Sequence, residues 1–259
     1  MITAGVDVGA LTTKAVILDW DTGRPLGHYL MPTGPAPQQA GSAALAGALA
    51  DAGLPAQAIQ ASVGTGYGRV ALQAVDWCIT EISCHARGVW HLLPDAHTVI
   101  DLGGQDAKVI CLDEAGWPLD FEMNDRCAAG TGRFLEVMAA ALGVQLQQLG
   151  ELAAAADSPA PLSSTCTVFA ESEVIGLLAE NWRVPDIAAG LCQAIAERIL
   201  QMTNRLQVRP QVVMCGGVAL NAGVHRALQR ALGMEIAVPP QPQLVGALGA
   251  AILAGERAS

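Results

Sequence analysis

Hydrophobic and polar positions along the chain predict an alternation of strands and helices. In the stretch FLEVMAAALG, apolar residues recur at the spacing of one helix face, at Phe134, Val137, Met138, Ala141 and Leu142. Gly143, directly after this pattern, is a typical helix stop. Short apolar runs such as AGVDV near the N-terminus and QVVMC before Gly216 instead predict buried strands. Together these elements predict an α/β fold.

Two segments of the chain resemble each other at a constant offset. GVDVGALTTKAVILDWDTGRPL begins at Gly5 and VIDLGGQDAKVICLDEAGWPLDF begins at Val99, so Asp101 follows its counterpart Asp7 by 94 positions. Each copy predicts a strand, a tight glycine-containing turn, a second strand and a further turn. The repeat therefore indicates two lobes of related fold.

The repeat also predicts the domain organisation. We expect an N-terminal lobe at residues 1–95 and a C-terminal lobe at residues 96–259. The small-residue pattern LVGALGAAILAG, at 244–255, predicts a helix that packs back on the first lobe. Gly246 and Gly249 would let this helix pack tightly on a neighbouring helix, which suits a hinge between the lobes.

The first turn of each copy has the composition of a phosphate-binding loop. Glycines let the backbone approach a ligand closely and present its N–H groups to phosphate oxygens. The aspartates near the ends of the preceding strands, Asp7 and Asp101, are of the type that holds Mg²⁺ directly or through water. One D-x-G-x-x-x-x-K pattern alone would be read as an ordinary hairpin turn, but two copies in register favour a polyphosphate site.

A third glycine turn follows the strand predicted at QVVMC. Gly216 and Gly217 end this strand and precede a helical pattern, and turns of this kind admit a nucleotide. No G-K-[ST] follows, so this is not a Walker A loop, and the glycine spacing excludes a Rossmann fingerprint. After two phosphate-type hairpins, the turn predicts an adenosine site.

Composition and charge exclude several classes of protein. The chain has 259 residues, of which 52% are hydrophobic, and can bury a large core. Its net charge of −10 argues against nucleic-acid binding. It has no leader pattern and no apolar stretch long enough to span a bilayer, so we expect a cytoplasmic protein without a membrane partner. Seven cysteines without a secretion signal predict buried thiols or metal ligands, not disulfides.

The order of two phosphate hairpins, a Gly-Gly turn and a small-residue helix resembles the actin, hsp70 and sugar-kinase superfamily of ATPases. Further stretches are similar to one branch of it, namely TGYGR, TEISCHARG, DLGGQDAKVI, MNDRCAAGTGRFLE, CTVFAESEVIGLLAE and GGVALNAGV. That branch contains the activators of 2-hydroxyacyl-CoA dehydratases and the ATPase subunits of benzoyl-CoA reductases. The resemblance runs from about Gly5 to Ala254, nearly the whole chain.

This resemblance implies a fold, an activity and partners. The implied fold is two duplicated RNase H-like lobes with ATP in the cleft between them. The implied activity is ATP-dependent, low-potential electron transfer by a homodimer with one bridging 4Fe-4S cluster and with Mg²⁺. A reduced ferredoxin or flavodoxin is the implied electron donor, and an iron–sulfur acyl-CoA dehydratase or reductase is the implied acceptor.

Two of the cysteines are candidate cluster ligands. Cys127 and Cys166 each stand ahead of a predicted helix, whose N-terminus lowers a thiolate pKa and can donate hydrogen bonds to cluster sulfides. Small residues follow Cys127, and PLSST before Cys166 is good N-cap material. A nucleophilic cysteine would use the same features, but no nearby base stands out. A 4Fe-4S cluster generally needs four thiolates, so two per chain predict a homodimer.

The other cysteines are expected to be packing residues. Cys111 lies between apolar neighbours, Cys192 is in the middle of a helical pattern, and Cys215 ends the strand before the Gly-Gly turn. Cys84 stands beside His85, and such a pair also suggests a metal site or a nucleophile. Because no further ligand is close in sequence, we favour packing for Cys84 as well.

The resemblance also assigns roles to residues of the three turns. Asp7 and Asp101 are predicted to position Mg²⁺ and the attacking water, which Gln105 orients. The residues predicted to hold phosphates or approach the nucleotide are Gly9, Thr12, Thr13, Lys14, Gly103, Gly104 and Gly130. Those predicted to lie along the adenosine are Gly216, Gly217 and Asn221.

The turns depart from the family pattern in two places. Ala10 and Leu11 stand where the first hairpin usually has a hydroxyl residue, and Ala107 replaces a hydroxyl residue in the second. Both departures predict modest ATP affinity. Lys108 is interpreted as a solvated strand residue, and Asp106 either forms the turn or supports a ligand.

Other functions remain alternatives. Within the same branch these are the ATPase subunit of a benzoyl-CoA reductase and a reductase of a double-cubane cluster protein. A small-molecule kinase would share the fold, but the chain has little room for substrate-binding insertions and a kinase has no use for Cys127 and Cys166. A non-catalytic nucleotide-regulated module has no need of Asp101 or Gln105, and both are present.

Overall fold

The fold is described by a computed structural model over residues 1–73, 75–162 and 166–259. Its strands there are β1 Ile2–Val8, β2 Thr12–Asp19, β3 Arg24–Pro32, β4 Ala61–Thr65, β5 Trp77–Cys78, β6 Thr98–Leu102, β7 Ala107–Leu112, β8 Pro118–Asn124, β9 Val212–Cys215 and β10 Ile236–Ala237. Its helices are α1 Pro37–Ala52, α2 Glu81–Leu92, α3 Gly132–Leu142, α4 Leu149–Ala154, α5 Thr167–Ala179, α6 Val184–Thr203, α7 Ala222–Leu232 and α8 Val245–Ala258. None of these helices is both long and apolar enough to cross a bilayer.

The chain folds into two compact units that are interleaved along the sequence. Unit 1 comprises Met1–Val99, Leu112–Leu119 and Pro239–Ser259, and unit 2 comprises Ile100–Cys111 and Asp120–Val238. The last helix, α8, therefore belongs to unit 1. The predicted lobe boundary between residues 95 and 96 stays a prediction.

Each unit is built around one five-stranded sheet, and the two sheets have the same strand order. The first has the order β3-β2-β1-β4-β5, and the second has the order β8-β7-β6-β9-β10. In the first sheet β1 is antiparallel to β2 and parallel to β4. The two copies of the sequence repeat occupy equivalent strands, so the sequence repeat is also a repeat of fold. The prediction of a duplicated α/β fold is confirmed.

Helices cover both faces of the first sheet. On one face α1 packs through Ala44 and Ala48, and on the other α8 packs through Leu248 and Ile252. A side chain on Gly5 of β1 would overlap the backbone of α8, so this contact is close. Because both faces are buried, the strands are largely apolar and do not alternate with polar residues.

The small residues of α8 let it approach α2, also in unit 1. A Cβ on Gly249 would overlap the Cys84 carbonyl oxygen, and a Cβ on Gly88 would overlap the Val245 carbonyl oxygen. Backbones this close leave no space for a side chain. The tight helix packing predicted from Gly246 and Gly249 is thus observed, while the predicted hinge stays a prediction.

The core of unit 2 is formed by the second sheet with α3, α5, α6 and α7. Phe134 and Met138 of α3 are buried in one cluster with Ile195 of α6. Val137, on the same predicted face, is only partly buried. Gly143 ends α3 in the left-handed conformation, with φ of 67°. The amphipathic helix and its stop are therefore as predicted.

Candidate functional site

The first glycine turn joins β1 to β2 and has two opposite charges beside it. Asp7 and Lys14 are paired across the two strands, and Lys14 Nζ lies 3.2 Å from Asp7 Oδ2. The Gly9 N–H donates to the Thr12 carbonyl at 3.1 Å and closes the turn. Asp7 is buried, whereas 13% of the Lys14 side chain is exposed. The turn therefore offers one ammonium group that a ligand can reach.

The hydroxyl of Thr13, a predicted phosphate ligand, is used inside unit 1. It lies 2.9 Å from the hydroxyl of Thr33, which itself donates to the Gly9 carbonyl at 2.7 Å. A threonine has one hydroxyl hydrogen, so Thr13 is the donor in the first of these bonds. Since Thr13 is also fully buried, this is evidence against its predicted phosphate contact. The half-buried Thr12 stays a candidate.

The second glycine turn joins β6 to β7 and contains two carboxylates and one lysine. The Gly103 N–H donates to the Asp106 carbonyl at 3.0 Å. Lys108 Nζ lies 2.8 Å from Asp106 Oδ1 and 3.2 Å from Asp101 Oδ2. These three ionised side chains sum to one negative charge, which suits a divalent cation. Gln105, the predicted water-orienting residue, is exposed at the tip of the turn.

The interpretation of Lys108 as a solvated residue is wrong. Only 1% of it is exposed, and it ranks among the largest fully buried side chains. A buried ammonium group is costly unless it is paired, and both carboxylates of the turn supply that pairing. Its alignment with Lys14 in the repeat is the signal in the sequence that points to it.

The Gly-Gly turn after β9 lies against the end of β6. Gly216 has φ of 83°, and a Cβ there would overlap the Leu102 carbonyl oxygen and the Asp101 carboxylate. Glycine adopts this conformation without strain and leaves room for the contact. Unit 2 thus brings the predicted adenosine turn beside the predicted magnesium aspartate, with Gly217 exposed next to them.

Unit 1 has an equivalent glycine turn, which the sequence analysis did not assign to the site. Gly66 follows β4 and has φ of 92°, and a Cβ there would overlap the Val8 carbonyl oxygen and the Asp7 carboxylate. Gly66 is therefore related to Asp7 as Gly216 is related to Asp101. The signal for this turn is the glycine of TGYGR directly after an apolar strand.

Asn221, predicted to lie along the adenosine, is the N-cap residue of α7. Its Oδ1 accepts from the N–H groups of Gly223 at 3.0 Å and Val224 at 3.1 Å. Capping of this kind accounts for an asparagine at this position. A contact with adenosine would use the amide nitrogen of the side chain, so this role stays a prediction.

The start of α3 is bound to the second glycine turn. The Gly132 N–H donates to the Gly103 carbonyl at 2.9 Å, and the Arg133 N–H donates to the Gly104 carbonyl at 2.8 Å. The first N–H groups of a helix have no partner inside it, so the turn supplies the missing acceptors. The N-cap residue, Thr131, makes no such bond with its side chain.

Cys127 lies in the loop before α3. It stands ahead of the helix, as predicted, with three residues and the N-cap Thr131 between them. The carbonyl of this half-buried cysteine accepts from Asn124 Nδ2 at 2.9 Å. In the same loop, a Cβ on Gly130 would lie 3.5 Å from Arg198 Cγ of α6, so that side of Gly130 faces α6.

Cys166 is the N-cap residue of α5, in agreement with its predicted place at a loop-to-helix junction. It is exposed, and its carbonyl accepts from the Ala170 N–H at 2.9 Å. The predicted capping residues at 163–165 lie outside the described part of the chain. Helices α3 and α5 pack against each other, so both candidate cysteines precede neighbouring helices of unit 2.

Burial separates the remaining thiols from these two. The buried cysteines are Cys84, Cys111, Cys192 and Cys215. Burial raises the pKa of each of these thiols, and it raises the pKa of Cys84 and of Cys192 to about 12. Iron is bound by the thiolate, so a thiol held in its protonated form is a poor ligand. The observed environments agree with the expectation that these four residues are packing residues.

Cys127 and Cys166 fit one half of an iron–sulfur site. Both lie in unit 2 and neither is buried, so a group outside the chain can reach them. A 4Fe-4S cluster generally takes four thiolates, and two ligands from one chain leave two for another molecule. The third cysteine that is not buried, Cys78, lies in unit 1 and donates its thiol to the Arg69 carbonyl at 3.3 Å.

The pair Cys84 and His85 is packed within unit 1. His85 Nδ1 lies 3.0 Å from the Glu81 carbonyl one turn earlier in α2, and the imidazole ring lies against Gly246 of α8. The raised pKa of Cys84 disfavours a thiolate nucleophile. These surroundings support packing for Cys84.

Comparison with known proteins gives full-length matches. The model of the BadF/BadG/BcrA/BcrD ATPase family matches residues 4–254. The activator of lactoyl-CoA dehydratase from Anaerotignum propionicum is 47% identical over 100% of this chain and 99% of its own length. A more distant relative, one of the subunits of benzoyl-CoA reductase from Thauera aromatica, is 32% identical over 97% of this chain and 92% of its own.

Two solved structures are also similar. The (R)-2-hydroxyglutaryl-CoA dehydratase component A of Acidaminococcus fermentans has a TM-score of 0.95 and 42% identity, covering 100% of this chain and 99% of that one. The activator of the 2-hydroxyisocaproyl-CoA dehydratase from Clostridium difficile, with bound ADPNP, has a TM-score of 0.94 and 45% identity, covering 100% and 96%. On this evidence, the chain belongs to the BadF/BadG/BcrA/BcrD ATPase family.

Proposed function

We propose that this protein is an ATP-driven electron-transfer protein that activates an iron–sulfur enzyme, in the first instance a 2-hydroxyacyl-CoA dehydratase. Membership of an ATPase family supports ATP binding, and ADPNP is bound in a relative of 45% identity. Relatives of over 40% identity along their whole length are named as activators of such dehydratases. A reduced ferredoxin or flavodoxin would be the donor, and the cytoplasm the location.

The observation that carries this proposal is the connection, within unit 2, between the second glycine turn and the helix after Cys127. The carbonyls of Gly103 and Gly104 accept the first N–H groups of α3. A ligand that shifts this turn therefore also shifts the start of α3. A protein that only hydrolyses ATP has no need for an accessible thiol at the other end of such a connection.

The turns divide the nucleotide chemistry among them. Asp101 would hold Mg²⁺, because its turn keeps one surplus negative charge, and Asp7 would assist from the first turn. Gln105 is exposed where it can orient a water molecule. Lys14 and Thr12, with the Gly104 N–H group of the second turn, would bind phosphate oxygens. The adenosine of ATP would lie beside Gly217.

Cys127 and Cys166 would hold the cluster together with the same two residues of a second copy. When bound, a 4Fe-4S cluster supplies one-electron transfer at low potential. Within the chain, the α5 N-terminus behind Cys166 carries a partial positive charge that favours an anionic group there. The exposure of Cys166 leaves it accessible to the partner copy. Two ligands per chain thus lead to a homodimer with one shared cluster.

A second candidate function is the ATPase subunit of a benzoyl-CoA reductase, for which the relative from Thauera aromatica is the supporting observation. The same ATP and cluster residues would serve both functions. The two candidates differ in whether a dehydratase or a reductase accepts the electron. Mixing the reduced protein and ATP with each type of purified acceptor would separate them.

The test of the proposal is the iron content of cysteine variants purified without oxygen. Wild type is expected to be brown, with about four iron and four sulfide per dimer. Cys127→Ser and Cys166→Ser are each expected to lose the cluster and the ability to reduce the acceptor. Cys78→Ser is the matched control, because Cys78 is also exposed but lies in unit 1.

Two results would contradict the proposal. The first is wild-type iron content and electron transfer in both the Cys127 and the Cys166 variant. The second is loss of iron in Cys78→Ser but not in these two. A colourless wild type whose ATP turnover depends on an added sugar would instead identify a kinase.

A further inference from the structure

Lys108 holds a buried position between two carboxylates of the second glycine turn. Its exposure of 1% leaves no route for the ammonium group to act as a solvent-facing phosphate ligand. Its Nζ lies 2.8 Å from Asp106 Oδ1 and 3.2 Å from Asp101 Oδ2. Removing one member of a buried charge network is strongly unfavourable, because it leaves the other charges unpaired. Lys108 therefore fixes both carboxylates.

Asp106 transmits this constraint to the turn itself. The Asp106 carbonyl accepts the Gly103 N–H. A Cβ on Gly103 would lie only 2.5 Å from Asp106 Oδ1, so the carboxylate packs closely against this glycine. The turn is thus folded around Asp106, and Asp106 is held by Lys108. The carbonyls of Gly103 and Gly104 then bind the first N–H groups of α3. Each link in this series is a contact within unit 2.

The first hairpin lacks this arrangement. At the position of Asp106 it has Thr12, so among the described residues the ion pair of Lys14 is with Asp7 alone, and Lys14 remains partly exposed. Two lysines at equivalent positions of the repeat are therefore placed differently. Lys14 is available to a ligand, whereas Lys108 is enclosed by its own turn.

We infer that Lys108 is a positioning residue for ATP hydrolysis: with Asp106 it fixes the Asp101 carboxylate and the Gly103–Gly104 backbone, and through that backbone the start of α3. This inference rests on the proposed ATPase function. It predicts that Lys108 variants bind nucleotide almost normally but hydrolyse it slowly. It also predicts that they loosen the start of α3.

The variant Asp106→Thr tests the inference with little change to the packing, because it gives the second turn the residue of the first. We expect kcat for ATP hydrolysis to fall about tenfold while KM changes less than threefold, since misplacing a catalytic group costs turnover more than binding. Lys108→Met should lower kcat about a hundredfold, and Lys108→Arg should recover part of that loss. Lys14→Met is the control and should mainly raise KM.

Hydrogen exchange of the anaerobically purified protein gives a second readout. Amides of the segment from Gly130 to Leu135 are expected to exchange faster in Asp106→Thr and in Lys108→Met than in wild type. Equivalent amides at the start of α5 should be unchanged, because no contact in this series involves them. A general loss of structure would instead accelerate exchange at both helices.

The outcomes separate the inference from the proposed function. A wild type that does not hydrolyse ATP contradicts the proposed function. An active wild type whose Asp106→Thr and Lys108→Met forms keep its kcat and its exchange pattern overturns the role of Lys108. So does a large rise in KM with kcat unchanged, which would make Lys108 a phosphate ligand. If Lys108→Met fails to fold, Asp106→Thr decides alone.

Discussion

The two glycine-turn hairpins share strand order, turn closure and an aspartate–lysine pair, but they differ in charge and in what they contact. In the first, Asp7 and Lys14 neutralise each other. In the second, Asp101, Asp106 and Lys108 leave one negative charge. The second turn also carries the start of α3, a contact to which the first has no described equivalent. The two hairpins therefore share a backbone fold but differ in the roles that we propose for them.

This difference suggests how ATP turnover reaches the cysteines. The first hairpin has the composition of a phosphate clamp, since its accessible charge is positive. The second has the composition of a cation site whose backbone continues into the helix after Cys127. Under the proposed function, a change in phosphate or metal at the second turn would act on α3 directly, through the Gly103 and Gly104 carbonyls. Predictions that treat the hairpins as a matched pair can test this division.

The largest expected difference is between Asp101→Asn and Asp7→Asn. Asp101→Asn should lower kcat for ATP hydrolysis about a hundredfold or more, because it removes the charge that would hold the cation. Asp7→Asn should cost about tenfold, since Asp7 is already neutralised by Lys14. Steady-state ATPase assays at several Mg²⁺ concentrations measure both. Equal losses would remove the distinction between the hairpins.

The next comparison concerns the two positive-φ glycines. Gly216→Ala and Gly66→Ala should each destabilise the protein by about 2 kcal/mol or more, because alanine is strained at φ of 83° or 92° and would overlap a strand carbonyl. Urea unfolding reports the change in free energy. Gly217→Ala, at an exposed position, is the control. A neutral Gly66→Ala would show that the turns are not equivalent.

Lys14→Met should weaken ATP binding about tenfold, equivalent to about 1.4 kcal/mol, since it removes the accessible ammonium group of the first turn. Calorimetric titration with ADPNP gives the Kd directly. The adjacent Thr13→Val should leave this Kd unchanged, because the Thr13 hydroxyl is used within unit 1. Weaker binding in Thr13→Val than in Lys14→Met would restore Thr13 as a phosphate ligand.

The smallest expected effect is alkaline destabilisation, and here the two units should behave alike. Cys84 in unit 1 and Cys192 in unit 2 each have a pKa raised by burial from 9.0 to about 12. A raised folded-state pKa stabilises the thiol form fully below pH 9, and this stability is lost as the pH rises towards 12. At pH 9.5 each thiol should therefore lower the free energy of unfolding by about 0.8 kcal/mol relative to neutral pH.

Melting temperatures between pH 7.5 and 9.5 check this expectation. Cys84→Ala and Cys192→Ala should each make the fall in Tm shallower, by similar amounts, whatever their stability at pH 7.5. Cys78→Ala, at an exposed cysteine, should follow the wild-type slope. If Tm fell with pH as steeply in both buried-cysteine variants as in wild type, burial would not raise the pKa of these thiols in the folded protein.

The sequence repeat was enough to predict the duplicated fold, because strand, glycine turn and strand are local patterns that recur in register. It was not enough to place Lys108, since a lysine in a strand is ordinarily solvated and its two carboxylate partners depend on the folded turn. The contact of the Thr13 hydroxyl was missed for the same reason, because its partner Thr33 directly follows a third strand. The acceptors of the first α3 N–H groups could not be predicted, because they come from a turn that is distant in the sequence and not from a neighbouring side chain.

The central claim is that ATP turnover, and not nucleotide binding alone, drives an electron from this protein to its acceptor. The direct measurement is stopped-flow reduction of a purified 2-hydroxyacyl-CoA dehydratase by the anaerobic, reduced protein with ATP, ADP or ADPNP. We predict rapid reduction with ATP and little with the other two. Equal rates with all three nucleotides would contradict the account.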